Sequence, residues 1–109
     1  MSDPDIHDNA EAGRYELEVE GEIAFAAYNL SPLNLMITKT SVPSRLEGRG
    51  IAGRLTEHLL KDARTRGLMV LPVCSYVARY LQKHPEFADV VHPTYRDILG
   101  LPRSVLNKD

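Results

Sequence analysis

The chain has 109 residues, 43% of them hydrophobic, with 15 acidic residues, 13 basic residues and one cysteine. That length implies one domain around one modest core. A net charge of −2 argues against broad nucleic-acid binding, no apolar run approaches the roughly 20 residues of a membrane span, and a lone cysteine excludes an intramolecular disulfide framework. The opening MSDPDIHDNAEAG lacks both the apolar stretch of a signal peptide and the basic amphipathic pattern of a transit peptide. It reads as a flexible acidic tail over residues 1–13, and the cysteine usage fits a reducing cytoplasm. Charge is uneven, with −7 over residues 1–38, +6 over 39–84 and −1 over 85–109. The positive segment suggests an anionic partner; a solvated helix face, which also collects arginines, is the alternative.

Arg14–Glu20 alternates strictly, with Tyr15, Leu17 and Val19 on one face, as a half-buried strand does. Gly21 marks a turn, and Glu22–Leu30 alternates again, with Ile23, Phe25 and Ala27 on one face. After the Ser31–Pro32 turn, Leu33–Thr40 is more continuously apolar and so more central. A loop with Pro43 follows, then a helix to about Arg66, carrying Ile51, Leu55, Leu59 and Ala63 as its apolar stripe. Glu57 and Lys61 form an i,i+4 pair, and Gly67 sits where a C-terminal helix cap belongs. Leu68–Val73 is a short buried strand. Ser75–Lys83 is a second helix with Ser75 as N-cap, ended by His84–Pro85. The tail from His92 shows little periodicity before a turn near Ser104. The fold class is α+β: an antiparallel three-strand meander, then α-β-α, with the last strand parallel to the third in a mixed central sheet.

Two glycines flank an arginine where the long helix begins, in SRLEGRGIAGRL at 44–55. Gly48-x-Gly50-x-x-Gly53 has the dinucleotide-binding spacing, but no parallel βαβ unit precedes it, and Val73 and Cys74 stand where an acidic residue is required. The phosphate loop of nucleotide hydrolases fails for want of Gly-Lys-Ser/Thr. The physics of an anion site survives both rejections. A helix start presents unpaired N–H groups and partial positive charge, glycine permits close approach, and Arg45 and Arg49 add full charges. The alternative is that the glycines only turn the chain; the flanking arginines, strand and helix favour the anion site. His7, His58, His84 and His92 have no metal-ligand spacing, so no metal is expected, and His58 reads as a surface residue beside Asp62.

Arg45-x-x-Gly48-x-Gly50-x-Ala52 matches the (Gln/Arg)-x-x-Gly-x-(Gly/Ala) signature of the GNAT N-acetyltransferases. The chain resembles their small single-domain, YjdJ-type branch more closely still, through Val42-Pro43, DARTRGL at 62–68, VLPVC at 70–74 and HPEFAD at 84–89. The resemblance covers residues 14–91 in one register, leaving 92–109 as a C-terminal extension. It implies a GNAT-like acyl-CoA N-acyltransferase fold with acetyl-CoA as substrate and a primary amine as acceptor, either a small molecule or a protein lysine. It further implies no metal, no nucleic acid, no membrane, and a monomer or weak dimer.

By the same resemblance the pantetheine arm pairs with Thr40, Ser41 and Val42. The pyrophosphate rests on Arg45, Gly48, Arg49, Gly50, Ile51 and Ala52, with Gly53 and Arg54 close behind. Many larger relatives use a tyrosine of the last helix as acid. The register puts Gln82 there, with Tyr76 and Tyr80 out of phase. Cys74 is a candidate catalytic residue, either lining the thioester pocket or carrying the acetyl group; from position alone it is equally a small buried hydrophobe. Lys39 is a second candidate, standing where the family strand commonly has histidine. That replacement keeps a second function open, a CoA-binding module without efficient turnover that acts as sensor or partner. Larger relatives shape the acceptor groove with extra N-terminal helices, which this sequence does not show before its first strand.

Overall fold

The computed structural model describes residues 3–102. Five strands form one sheet in chain order: β1 (Ile6–Asn9), β2 (Arg14–Val19), β3 (Glu22–Leu30), β4 (Asn34–Ser41) and β5 (Met69–Pro72). The first four pair antiparallel, and β5 pairs with β4 in parallel. Between β4 and β5 runs α1 (Ile51–Arg66), and α2 (Ser75–Lys83) follows β5. A 3₁₀ turn over Pro85–Val90 and a short helix α3 (Pro93–Leu99) complete the order. The meander, the long helix, the parallel strand and the second helix all stand where periodicity placed them.

Three details differ from expectation. Residues 6–9 of the supposed acidic tail are an edge strand, with Ile6 buried opposite Leu17. A four-residue strand with one apolar residue shows too little alternation to be read, and its anchors are distant in sequence. Tyr15 Oη donates to Asp62 at 2.6 Å, Tyr28 Oη donates to Asp8 at 2.6 Å, and Arg66 bridges Asp62 at 3.1 Å and Asp8 at 3.5 Å. Secondly, β3 alternates as expected, but its helix-facing residues are Ala24, Ala26 and Tyr28; Ile23 and Phe25 lie on the far face. The helix-facing residues share a core with Leu55, Leu59 and Leu60 of α1, whose bulk suits small partners on the sheet. Thirdly, His58 is buried rather than exposed, edge-on to Tyr15, and accepts the Asp3 N–H at 3.2 Å.

The segment after His92 is tied down. His92 N–H donates to Val70 O at 2.9 Å, and Tyr95, Leu99 and Leu101 pack against the core. The expected turn near Ser104 lies outside the described residues. Gly67 closes α1 in the left-handed conformation, at φ 72°.

Candidate functional site

At one end of the sheet β4 and β5 part. Their pairing ends at Ile37 opposite Pro72, and the chain leaves β5 with Cys74 N–H donating to Ile37 O at 2.8 Å. Beyond that point β4 has β3 on one side only. A bulge lies at the same place, the register jumping from Tyr28–Ile37 to Ala27–Lys39, with Thr38 Oγ1 donating to Ala27 O at 3.3 Å. The result is a stretch of β4, Lys39–Ser41, that among the described residues pairs with β3 alone and so presents an open strand edge on its other side.

Val42-Pro43 then starts a single 3₁₀ turn, Ser44–Leu46. Leu46 is fully buried and fastens the loop to the core. Gly48 at φ 85° and Gly50 at φ 78° are both left-handed, which L side chains rarely adopt. Gly50 caps α1 with no side chain to offer, and the first turn holds no acidic residue. The first helical bond is Arg54 N–H to Gly50 O at 3.1 Å. The N–H groups of Ile51, Ala52 and Gly53 are therefore unpaired among the described residues.

Those groups border a cleft of about 360 Å³, walled by Thr40 and Val42, by Leu46–Gly48, by Gly50–Gly53 and by Tyr76 of α2. A Cβ on Gly48 or Gly50 would meet no heavy atom within 4 Å, so the loop is open on its outer side. Partial positive charge and unpaired donors at a glycine-capped helix start suit an anion, and the adjoining strand edge suits an extended amide chain. A family model described as GCN5-related N-acetyl-transferase matches residues 14–90.

The chain belongs to that family. The cleft runs from the glycine loop at Gly48–Gly53 to Thr40 on β4. Thr40 pairs with Ala26 and faces the helices, and its Oγ1 lies 3.4 Å from Cys74 Sγ. Cys74 is buried at the N-cap of α2, a place that the sequence reading gave to Ser75. Among the described residues no cluster of three His, Cys, Asp or Glu side chains suits a metal ion.

Several residues named from the sequence are not gathered here. Lys39 pairs with Ala27 and points to the opposite sheet face, its Nζ 6.0 Å from the Phe25 ring centre. Neighbouring strand residues face opposite sides, so Lys39 cannot share the Thr40–Cys74 side. Ser41, opposite Phe25, likewise lies on the far sheet face and does not line the cleft. Arg54 is turned towards the N-terminal segment, 2.9 Å from Asp3 and 3.4 Å from Asp5. Arg45 is paired with Glu22 and, at 3.2 Å, with Glu20; Arg49 is 2.8 Å from Glu20. The Arg49 hydrogen bond holds the Glu20 carboxyl below its ordinary range. Neither loop arginine lines the cleft. The positive segment thus finds much of its counter-charge in the acidic first third of the chain. Gln82 is committed elsewhere, donating to Leu99 O at 3.0 Å.

Conversely, Leu46 and Glu47 wall the cleft without having been singled out, and so does Tyr76, which the register of α2 sets aside as out of phase. Tyr76 is placed by the meeting of α1 and α2, where a Cβ on Gly53 would lie 3.7 Å from its hydroxyl. No spacing within one element carries that contact. Behind Tyr76, Tyr80 stacks on His84 at 4.1 Å, and its hydroxyl is pushed up by burial and then by the Glu57 charge.

Proposed function

We propose that the chain is an acetyl-CoA-dependent N-acetyltransferase acting on a primary amine. The observation that carries this reading is the start of α1, glycine-capped and free of acid, whose unpaired Ile51, Ala52 and Gly53 N–H groups open on the cleft beside the bare β4 edge. In this reading the pyrophosphate takes those N–H groups, the pantetheine amides pair along Thr40–Val42, and the thioester reaches Thr40 and Cys74. A neutral amine attacks the thioester carbonyl, and the tetrahedral intermediate expels the CoA thiolate as the C–S bond breaks. The amine loses a proton and the thiolate gains one. Tyr76 is the ionisable O–H on the cleft wall and the candidate donor; Arg45 and Arg49 supply a field around the phosphates.

The rival reading, a CoA-binding module without efficient turnover, is favoured by the position of Lys39. On the far sheet face it cannot act as base beside Cys74, and the cleft's ionisable residues are Glu47 and Tyr76. Calorimetric titration with acetyl-CoA tests both readings together. Micromolar binding is expected, and its absence refutes both. CoA release in the presence of small amines and lysine peptides is expected for the enzyme; tight binding with no release under any of them leaves the module.

A further inference from the structure

The β2–β3 turn reaches the glycine loop with two carboxylates. Glu20 spans both loop arginines, Oε1 to Arg45 Nη1 at 3.2 Å and Oε2 to Arg49 Nη1 at 2.8 Å, while Glu22 takes Arg45 Nε. Arg45 Nη2 also donates to the Glu20 carbonyl at 3.3 Å. The backbone at this turn is unusual. Glu20 has φ 53°, the only non-glycine residue with positive φ among those described, and Gly21 follows at φ 81°. Two left-handed residues between paired strands make the turn that prefers Asn-Gly. Glutamate is a poor choice for the bend itself, so its carboxylate is the feature that needs explaining. It holds both arginines beside the anion site yet off the cleft wall.

Resting on the functional reading above, we propose that Glu20 and Glu22 are a built-in counter-anion for Arg45 and Arg49. A ligand's phosphate monoester reaches these arginines by displacing the two carboxylates. The diphosphate of CoA needs no such exchange, because backbone N–H groups receive it. The 3′-phosphate is the group that requires guanidinium partners. A phosphate dianion with three acceptor oxygens competes well for an arginine fork, and a nucleotide without it leaves the arginines with their glutamates. The glutamates therefore lower affinity for 3′-phosphorylated ligands alone, and they set how strongly the chain tells CoA from dephospho-CoA.

The test is calorimetry with CoA and dephospho-CoA on the parent and on a Glu20→Asn, Glu22→Gln double variant. Asparagine suits the turn, so the hairpin is retained, which a thermal melt checks. The variant is expected to bind CoA several-fold more tightly at low salt, on the order of fivefold for exposed ion pairs, with dephospho-CoA affinity unchanged. In an Arg45→Ala, Arg49→Ala background the same glutamate changes should do nothing. An equal gain for both nucleotides would show a diffuse field effect and overturn the exchange. Weaker CoA binding would show that the glutamates instead hold the arginines ready, and would also overturn it. If neither nucleotide binds any variant, the functional reading falls and takes this inference with it; binding that ignores the glutamates removes the inference alone.

Discussion

Gly53 allows the ligand role of the loop to be separated from its backbone role. Gly48 and Gly50 are left-handed, so any substitution there strains the chain whether or not a ligand binds. Gly53 has no such constraint: it is a helical residue of α1, and an added Cβ would meet Tyr76 Oη at 3.7 Å and Tyr80 Cε2 at 3.9 Å, ordinary contact distances. Gly53→Ala should therefore stabilise the fold by up to roughly 1 kcal/mol, the difference between the two residues in a helix. For a domain of this size that is a rise of roughly 4–8 °C in Tm. The same methyl enters the cleft and, since Cβ bonds tilt towards a helix's N-terminus, leans over the unpaired N–H groups. Losing one charge-assisted hydrogen bond costs about 1.5–3 kcal/mol, so acetyl-CoA affinity should fall roughly ten- to hundredfold. Thermal melting and calorimetry on the same preparation give both numbers. A higher Tm with parental affinity would refute the placement of the pyrophosphate. A lower Tm would show that Gly53 is there for the packing of α2.

Cys74→Ser should slow acetyl transfer without abolishing it, and intact-mass spectrometry after incubation with acetyl-CoA alone should show no acetyl group on the parent. A stable adduct on Cys74 that passes to an amine would establish the covalent route instead. Arg64 clamps the 3₁₀ turn to α1 through Asp89, at 2.6 and 3.0 Å, and lies over the Phe87 ring at 5.2 Å. Arg64→Ala should lower stability by about 1 kcal/mol, and Arg64→Lys should not restore it, because an ammonium cannot reproduce the planar fork; equal denaturation midpoints for parent and alanine variant would refute this. Burial and the Asp8 charge push the Tyr28 hydroxyl from 10 up to about 12, and burial and Asp62 raise Tyr15 further. A raised folded value contributes stability in full below the unfolded one, so Tm should hold to about pH 10 and then fall. Tyr28→Phe should flatten that fall between pH 10 and 12, and an unchanged slope would contradict the Asp8 contact.

The parts legible in the sequence were those carried by period and by single-residue signals. Alternation located β2 and β3, a more continuous apolar run located β4, the four-residue recurrence of Ile51, Leu55, Leu59 and Ala63 located α1, and Gly67 closed it. The glycine loop stood out through its setting, between a strand and a helix start and beside two arginines, and its Gly50 does cap α1. What failed was everything that depends on a second element. Alternation along β3 identifies two faces but not which one α1 will cover. The bulge at Thr38 lies in the pairing with β3 and leaves no mark in LNLMITKT. Arg45, Arg49 and Arg54 were read as available cations because their partners, Glu20, Glu22, Asp3 and Asp5, lie 23 to 51 residues away in the chain. Register alone sets Tyr76 aside as out of phase for the same reason, since its place on the cleft is defined by Gly53 across a helix contact.

The division between backbone and side chain at the loop bears on how such a small domain would hold the anionic ligand proposed for it. Exposed guanidinium groups act through a field that salt screens within about 10 Å at 0.1 M, and here both are already paired with glutamates. Unpaired N–H groups at a helix start are different. They are fixed by φ and ψ at Gly48 and Gly50, they need no side-chain ordering on binding, and no counter-charge in the first turn competes for them. The specificity of position therefore resides in the backbone. Under the proposed function, the arginines, held off the cleft wall by their glutamates, would adjust strength and charge selectivity without moving the backbone of the cleft. On that proposal, changes at 45 and 49, and in the turn opposite them, should alter affinity while the strand edge and glycine cap still set what kind of molecule fits.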